Sequence, residues 1–592
     1  MAAIRLDEGW TISCGVWPPL LMPSVSDVRT ALREQGLLRR EPAAMDALYD
    51  RWVETQRWTY ALAFDCPGEE ERAVLRFEML GGKGSVRLNG RTISEFEGGE
   101  FLVDITESVR EEKNLLEVSF YSEPLGGIAR GILGPVWLRT TNYVELKRVR
   151  AEAAGGVIRV SSDLVAHTAG RFLFRYQVSM DGEMVSTSEV YERLRAAAAH
   201  VEHEIRLPSS APWDGERYYT VRLMVERSGV GCDSALVNVA MDAPEPRFIA
   251  LIPRGRLRDR VLARSARKLG AGAVFAPYFP DQDRALVTFD LLSEGVLLTE
   301  RAECAPDGEE EDFLAMPTGA ALEALANGER FWPDDAPVWR ATGNSAPSRR
   351  DAEALYGVNA LGDAARYARI SRLVQAEALR HRALGARRAE QPLTVLLAED
   401  APSLRSAALI EYGGVLRPAY GAVRQAWGAC AAFDLPEALT ARSPLPVRLY
   451  SNGRRRPVTV TASVYALDGR LVASTSFAAM AGADALLGEL KFTLPPEGVF
   501  IARAELKDDG GTRQVDQMIL ASPDGSPPRG ALLSPPRAEL RARDGFLHCE
   551  GSVAALGVWT GEYYGALLPG EKIPLPEGII STRIESLNGQ IL

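Results

Sequence analysis

One central stretch, from Arg247 to Asp400, constrains the fold of this chain more than any other part. Helical and apolar strand patterns alternate at its start, at residues 256–270, 272–280, 285–295 and 295–300. This β-α-β order is typical of a parallel sheet or a (β/α) barrel. It stops at an acidic loop, 307–313, after which only one long helix, ending within 374–382, and one apolar run, 392–400, follow. Because a complete eight-fold barrel needs about 250 residues, the stretch has room for about half of one.

Length and charge limit the class of protein. The chain has 592 residues, of which 46% are apolar and 25% charged, as in ordinary globular proteins. At about 100 to 200 residues per domain, it should hold four or five domains. The net charge of −11 is modest, and Lys and Arg are scattered. We therefore expect neither a nucleic-acid partner nor a membrane-binding basic patch.

The N-terminal segment, the apolar runs and the cysteines predict a cellular location. The N-terminus lacks a basic start followed by an apolar run, and no segment approaches the roughly 20 apolar residues of a membrane span. Six cysteines lie far apart without a CxxC pair, which favours reduced thiols over disulfides or zinc. His200 and His203 lie in a segment, HVEHE, that alternates as a strand, so a metal site is disfavoured there. We expect a cytoplasmic protein without metal or cofactor.

The flanking segments are β-structure. Short alternating strands, separated by Gly, Asn and charged turns, indicate sandwiches or jelly rolls, and Asn89 and Gly90 form a predicted hairpin turn. A Pro-rich linker, 522–537, precedes a small final unit. The predicted fold is multidomain and mainly β. Its five domains are a jelly roll (1–147), an immunoglobulin-like sandwich (148–244), a truncated (β/α) barrel remnant (245–427), a second immunoglobulin-like sandwich (428–524) and a small C-terminal β-sandwich (525–592).

Several motifs carry a resemblance to a known family. PSVSDVRTALREQGLL, RWVETQRWTYALAF, SVRLNGRTI, FLVDIT, NLLEVSF and GPVWLR occur in this order in the first domain. They resemble the N-terminal sugar-binding jelly roll of the β-mannosidase branch of glycoside hydrolase family 2. LIEYGGVLRPAYGAVRQAW (409–427) is similar to the family's exit from the barrel, and WTGEYYGALLPGEKIPL (559–575) to its terminal sandwich. The resemblance extends over almost the whole chain, with one large internal deletion.

The deletion falls on the catalytic residues that the resemblance implies. Family members use two Glu side chains, and the acid/base Glu follows an Asn at the end of the fourth barrel strand. Here the third-strand match, GVLLTERAE, passes almost directly into the acidic loop. Asn327, Asn344 and Asn359 are the nearby Asn residues, and none precedes a Glu. The segment that would carry the acid/base is therefore absent.

Three carboxylates remain as catalytic candidates. Glu310 occupies the place that matches the family's nucleophile, counted back from Pro317, but it lacks the following Phe-Gly and sits in the acidic loop. Glu300 ends a predicted strand. Glu399 lies in the last apolar run, where Leu396, Leu397 and Glu399 replace the Trp and amide with which the family lines its sugar pocket.

We therefore weigh three hypotheses. The first is a catalytically silent family 2 relative that acts as a carbohydrate-binding, scaffold or partner-subunit protein. The alternative is an active retaining β-glycosidase with relocated carboxylates, such as Glu300 with Glu310 or Glu399, and the third is another activity in the remodelled barrel. A sugar would bind in the first domain, which keeps Trp52, Trp58 and Trp137. Open barrel edges predict a homo-oligomer or a complex with another subunit, joined through residues 270–400.

Overall fold

The computed structural model confirms a mainly β chain. It describes residues 2–15, 17–38, 50, 52–66, 72–122, 130–214, 216–252, 260–275, 290–299, 316–317, 364–399, 405–411, 414–428, 430–433, 444–450, 455–482, 484–495, 498–508, 511–521, 535–575, 584 and 586–591. Two compact units are formed. The first comprises Met1–Pro246, Ile252–Arg264 and Ala273–Ala302, and the second comprises Arg247–Leu251, Ser265–Gly272 and Glu303–Leu592.

The first domain is a two-sheet β-structure around one core. Its elements are β1 (Ala2–Arg5), β2 (Thr11–Ser13), β3 (Leu20–Leu21), α1 (Val28–Glu34), α2 (Trp52–Thr55), β4 (Trp58–Phe64), β5 (Arg72–Gly81), β6 (Gly84–Leu88), β7 (Arg91–Phe96), β8 (Gly99–Asp104), β9 (Asn114–Phe120), β10 (Gly131–Ile132) and β11 (Val136–Thr141). One sheet has the order β3-β2-β4-β9-β6-β7, and the other β1-β11-β5-β10, with β8 also on β5. Between them lie buried aromatic side chains that include Trp10, Trp58, Tyr60, Phe77 and Phe120.

Local sequence accounts for one helix start and for the predicted hairpin turn in this domain. Helix α1 begins after Asp27, whose side chain accepts hydrogen bonds from the backbone N–H groups of Arg29 and Thr30, as an N-cap does. The predicted hairpin turn joins β6 to β7. There Asn89 has φ 53° and Gly90 has φ 83°, the positive values that this turn requires.

A second sandwich follows. Its strands are β12 (Val144–Ala154), β13 (Val157–Ala166), β14 (Gly170–Met180), β15 (Glu183–Leu194), β16 (Ala198–Arg206), β17 (Tyr219–Arg227) and β18 (Val230–Val239). They form the sheets β12-β13-β16 and β15-β14-β17-β18 around a common apolar core. Arg139 of the first domain forms an ion pair with the buried Asp233 of this sandwich, with 3.0 Å between Nη2 and Oδ2.

The central stretch contains parallel strands and long helices. Its elements are β19 (Phe248–Leu251), α3 (Arg260–Leu269), β20 (Ala273–Phe275), β21 (Leu297–Thr299), β22 (Met316–Pro317), α4 (Ala364–Ala389), β23 (Leu393–Leu396), β24 (Arg405–Ser406) and α5 (Pro418–Trp427). Strands β19 and β23 are parallel, as are β20 and β21. Helix α4 continues beyond the predicted end because the residues after 382 are mostly the good helix formers Ala, Leu and Arg. The truncated barrel itself stays a prediction.

Two more β-rich parts complete the chain. The first contains β25 (Cys430–Phe433), β26 (Leu445–Tyr450), β27 (Arg456–Ala466), β28 (Leu471–Ala481), β29 (Ala485–Leu490), β30 (Val499–Asp508) and β31 (Gly511–Ala521), in the sheets β25-β26-β29 and β28-β27-β30-β31. The second contains β32 (Ala538–Arg543), β33 (Phe546–Glu550), β34 (Ala555–Trp559), β35 (Tyr564–Leu567), β36 (Lys572–Pro574) and β37 (Gly589–Ile591), in the sheets β36-β33-β32-β37 and β34-β35. The five domain boundaries stay predictions.

The described helices and cysteines can be compared with the features of membrane-spanning and disulfide-bonded proteins. Within the described residues, no helix has the length and apolar character needed to cross a membrane. Cys14, Cys66, Cys232 and Cys549 are free thiols. Burial raises the pKa of the Cys232 thiol to about 11, because the thiolate would lose its hydration. The reduced state of all six cysteines stays a prediction.

Candidate functional site

The end of strand β23 is the part of the described structure that carries a candidate catalytic residue. Enzymes built on parallel (β/α) barrels place their active sites beyond the carboxyl ends of the strands. Here β19 and β23 run in register from Phe248↔Leu393 to Leu251↔Leu396. The N–H of Leu397 still donates to the carbonyl of Leu251, at 2.8 Å. Leu397 and the two residues after it therefore occupy the edge where such an enzyme would bind its substrate.

This edge is closed around Glu399. Leu397 is fully buried, and Glu399 is only 5% exposed. The backbone N–H of Glu399 donates to the carbonyl of Ile410, at 3.1 Å, so the segment after β24 lies directly against it. Glu300 and Glu310, the other two candidates, and Asp400 beside Glu399 lie outside the described residues. The one candidate that the structure describes is thus a buried side chain.

A buried ionic network lies next to this edge. Nη2 of Arg372, in α4, donates to Oε1 of Glu411, at 3.0 Å. Nε of Arg417 lies 3.9 Å from the same oxygen, and its Nη1 donates to the carbonyls of Ser406 and Ala408. The side chain of Arg417 has no exposed surface. One carboxylate is therefore held between two guanidinium groups that solvent scarcely reaches.

The same helix carries a second part of the network. Glu377 accepts a hydrogen bond at Oε1 from the hydroxyl of Tyr564, at 2.8 Å, and at Oε2 from Nε of Arg380, at 3.3 Å. Gln375 donates from Nε2 to the carbonyl of Ser406, at 3.2 Å. Helix α4 is thus tied both to the segment after β24 and to strand β35.

The network is balanced in charge. Three guanidinium groups and three carboxylates in this region are each less than a tenth exposed, namely Arg372, Arg380, Arg417, Glu377, Glu399 and Glu411. Buried ions of this kind are stable only when their charges are compensated. Sequence analysis missed the arginines and Glu411, because in a sequence a buried charge looks like a surface charge. Within the described residues, Glu377 and Glu411 are each paired with an arginine of this arrangement.

The three tryptophans of the first domain have different environments. Trp58 is fully buried and donates from Nε1 to the carbonyl of Val53, at 2.8 Å. Trp52 is half-buried between Trp17 and Trp58, with ring centroids 5.3 Å and 6.2 Å away. Both side chains therefore belong to the core or its border.

Trp137 instead lies on the outer face of the second sheet. Residues paired directly across neighbouring strands point to the same side of a sheet, and the register aligns Arg5, Trp137, Arg76 and Leu102 in one row. The Trp137 ring is half-buried, and Leu102 is exposed. The guanidinium of Arg5 lies 6.0 Å from the centroid of the Trp137 ring. The sequence already indicated this outward position, because Trp137 and the charged Arg139 are two residues apart in a strand and therefore point to the same face.

Two carboxylates accompany this row. Nε1 of Trp137 donates to Oε1 of the buried Glu78. Nε of Arg76 donates to Oε1 of Glu100, at 2.9 Å. We call Arg5, Arg76, Glu78, Glu100 and Trp137 the Trp137 face. Arg76 and Glu78 are buried, at 2% and 9% exposure, so the groups of this face that a carbohydrate can contact are the Trp137 ring, Arg5 and Glu100.

His200 and His203 do not lie together as ligands. Nδ1 of His200 is 2.6 Å from Oδ1 of Asp163, and its Nε2 is 3.3 Å from Oε1 of Glu202, all on an exposed surface. His203 points to the other side of β16, where Nε2 is 2.7 Å from Oγ of Ser188 and the ring stacks on Tyr176. Among the described residues, no group of three or more His, Cys, Asp or Glu side chains has the geometry of a metal site.

Comparison with known proteins defines the class. Residues 10–140 match the family model of the glycosyl hydrolase 2 galactose-binding domain-like domain. Among solved structures, the β-D-mannosidase of Dictyoglomus thermophilum superposes with a TM-score of 0.68 at 14% identity, and the match covers 100% of both chains. The exo-chitosanase of Amycolatopsis orientalis gives a TM-score of 0.66 at 14% identity, covering 100% of this chain and 99% of that one. No curated protein sequence matches.

The fold is therefore that of the multidomain glycosidases. The family match in the first domain and this fold agree with the resemblance to glycoside hydrolase family 2 that the sequence motifs carry.

Proposed function

We propose that this protein binds carbohydrate through its first domain and does not hydrolyse glycosides. The fold supports a function connected with carbohydrates. The observation that carries the binding part is the Trp137 face, a partly exposed indole ring in a row with two guanidinium and two carboxylate groups, of which Arg5 and Glu100 are exposed. Mannose- and glucose-based oligosaccharides are the ligands to test, because the solved relatives include a β-D-mannosidase.

The structure at the end of β23 supports the absence of hydrolysis. A retaining glycosidase holds two carboxyl groups about 5 Å apart on either side of the bond that it cleaves. Glu399 is only 5% exposed and lies next to the Arg372, Glu411 and Arg417 network. The sequence also lacks the Asn-Glu segment that the family resemblance implies. Loss of a general acid alone removes about a 100- to 10,000-fold contribution to the rate.

Calorimetry tests the binding part. The intact chain should bind mannose- or glucose-based oligosaccharides weakly, at millimolar sugar, and Trp137→Ala should weaken binding at least tenfold, by about 1.4 kcal/mol, because the stacking surface is lost. Tyr191→Ala is the matched control, since Tyr191 is an exposed aromatic residue of the second sandwich that stacks under Arg171, 4.1 Å from ring centroid to guanidinium. Absence of heat with wild type, or equal binding by Trp137→Ala, would contradict the proposal and favour a scaffold role.

Turnover assays test the other part. We expect no release of the aryl group from aryl β-mannosides, β-glucosides or β-galactosides above a blank without protein. The alternative is an active glycosidase that uses Glu300, Glu310 or Glu399. Turnover that Glu310→Gln or Glu300→Gln abolishes, with the fold intact, would establish that alternative.

Two further parts of the proposal concern location and assembly. A cytoplasmic location is supported by the four free thiols. The predicted interface between residues 270 and 400, to a second copy or another subunit, stays a prediction, because most of that stretch lies outside the described residues.

A further inference from the structure

Strand β28 (Leu471–Ala481) is the outer strand of its sheet. The sheet order is β28-β27-β30-β31, and β28 pairs with β27 from Arg456↔Ala481 to Tyr465↔Leu471. Within the described part of the chain, β27 is its only ladder neighbour. Every second backbone N–H and C=O group of this 11-residue strand therefore points away from the sheet. Such a row is a template for pairing with another strand.

The side chains of β28 do not oppose such pairing. Its sequence, LVASTSFAAMA, contains no charge, no Pro and no Gly. Leu471 and Met480 are 53% and 52% exposed, and the exposed residues between them are Ser474, Ser476 and Ala478. Natural edge strands are usually protected by charged side chains, Pro or short length. None of these features is present in β28.

The second sandwich provides an internal comparison. Its sheet β15-β14-β17-β18 has the same connectivity as β28-β27-β30-β31, so β15 is the counterpart of β28. Strand β15 is one residue longer and carries four charged side chains, Glu183, Glu189, Glu192 and Arg193. The same outer position is thus protected by charge in one sandwich and left neutral in the other.

We infer that β28 is a homodimer interface, in which two copies of this chain pair their β28 strands antiparallel across a two-fold axis. The register centred on Ser476 places Ser476 beside its own copy and Ser474 beside Ala478, and these small side chains let the backbones approach. Charges of opposite sign flank the strand: the exposed Arg470 before it, 3.8 Å from Asp468, and the partly exposed Asp484 after it, 3.7 Å from Arg387. In this register Arg470 of one copy lies opposite Gly482 of the other, two residues from Asp484, which is a diagonal distance that a long side chain can span. The strand is therefore complementary to itself.

The dimer joins two four-stranded sheets into one of eight strands. A single strand pair is a narrow contact, and interfaces below roughly 1,200 Å² in total belong to the weak, transient class. We therefore expect a monomer–dimer equilibrium in the micromolar range. This interface lies outside residues 270–400 and is independent of carbohydrate binding.

Sedimentation equilibrium of the intact chain across the micromolar range tests the inference. Wild type should show monomer and dimer, and Ser476→Lys should weaken dimerisation at least about tenfold, because two ammonium groups would meet at the two-fold axis. Thr187→Lys is the matched control, since it adds the same charge at an exposed position near the middle of β15. It should leave the dimer unchanged. Urea unfolding checks that each variant is folded.

A charge-swap experiment identifies the pairing strand. Ser476→Lys and Ser476→Glu should each be largely monomeric, and a mixture of the two should form heterodimers, since Lys then faces Glu. A wild-type protein that stays monomeric up to high micromolar concentration would overturn the inference. So would a dimer that Ser476→Lys leaves intact, because its interface would then lie elsewhere.

Discussion

Arg372 and Glu411 form a buried ion pair, with 3.0 Å between Nη2 and Oε1. Arg372 comes from α4, and Glu411 from the segment after β24, so the pair fixes the helix against the end of β23. Arg417 adds a second guanidinium at 3.9 Å from the same oxygen. Next to the end of β23, these three charged side chains therefore contribute to packing.

The first prediction concerns the stability of this network. Glu411→Gln should destabilise the protein by about 3 to 5 kcal/mol, because it leaves Arg372 and Arg417 buried without their carboxylate. The shift of the urea unfolding midpoint measures the effect. Glu204→Gln is the control, because Glu204 pairs with Arg159 and both side chains are more than half exposed. An exposed ion pair contributes little, so the urea midpoint of this variant should not move. Equal, small shifts for both variants would show that the network does not stabilise the fold.

The second prediction concerns the turn between β6 and β7. Asn89 holds a positive φ, and its side chain makes three hydrogen bonds: Nδ2 donates to the Ser108 carbonyl and to Oδ1 of Asn114, and Oδ1 accepts from the N–H of Leu115. Asn89→Ala loses these bonds and strains the backbone, which should cost about 3 kcal/mol in unfolding free energy. Asn89→Gly loses the same bonds without the strain. It should be less destabilising by about 1 kcal/mol, and equal losses would contradict this account.

The third prediction separates the two histidines of β16 by pH. Hydrogen bonds to Asp163 and then Glu202 raise the pKa of His200, whereas desolvation lowers the pKa of His203, against a smaller opposite effect of Glu192. NMR titration should find His200 above, and His203 below, the ordinary value of about 6.5. Asp163→Asn should lower the pKa of His200 and leave that of His203 unchanged. Coinciding titrations would contradict these contacts.

These pKa shifts have opposite effects on stability. The stability from His200 is complete below about pH 6.5 and is lost as the pH rises through its higher folded pKa. For His203 the unfolded chain binds the proton more readily. The contribution of His203 to the free energy of unfolding is therefore present above about pH 6.5 and is lost as the pH falls toward the pKa of His203 in the folded protein. Urea unfolding of His200→Gln and His203→Gln against pH should show these opposite trends.

The fourth prediction concerns cysteine reactivity. Cys14 is half-exposed, whereas Cys232 and Cys549 are buried and burial raises the pKa of both thiols. Because the thiolate is the reactive form, a maleimide should label Cys14 first in the native protein and the two buried thiols only on unfolding. Peptide mass spectrometry gives the order. All six cysteines should react in denaturant, and a disulfide in freshly purified protein would argue against the cytoplasmic location.

The sequence by itself determined the local structure of this protein. Strand alternation placed HVEHE in β16, the Asn89-Gly90 pair fixed a hairpin turn, and Asp27 marked the start of α1. These features depend on residues close in sequence, whose side-chain direction and φ preference are set by local sterics. The family motifs predicted the overall class for the same reason, since each motif lies within one or two neighbouring strands.

Only the tertiary structure decided which of the candidate tryptophan and glutamate side chains are buried. β1 pairs with β11, which places Arg5 beside Trp137 although 131 residues separate them. Sequence analysis treated Trp52, Trp58 and Trp137 alike, yet Trp58 lies in the core and Trp137 on an outer face. Glu399, one of the candidate acids, is 5% exposed because the segment around Ile410 packs against it. Burial depends on chain segments far apart in sequence, whose packing no local pattern encodes.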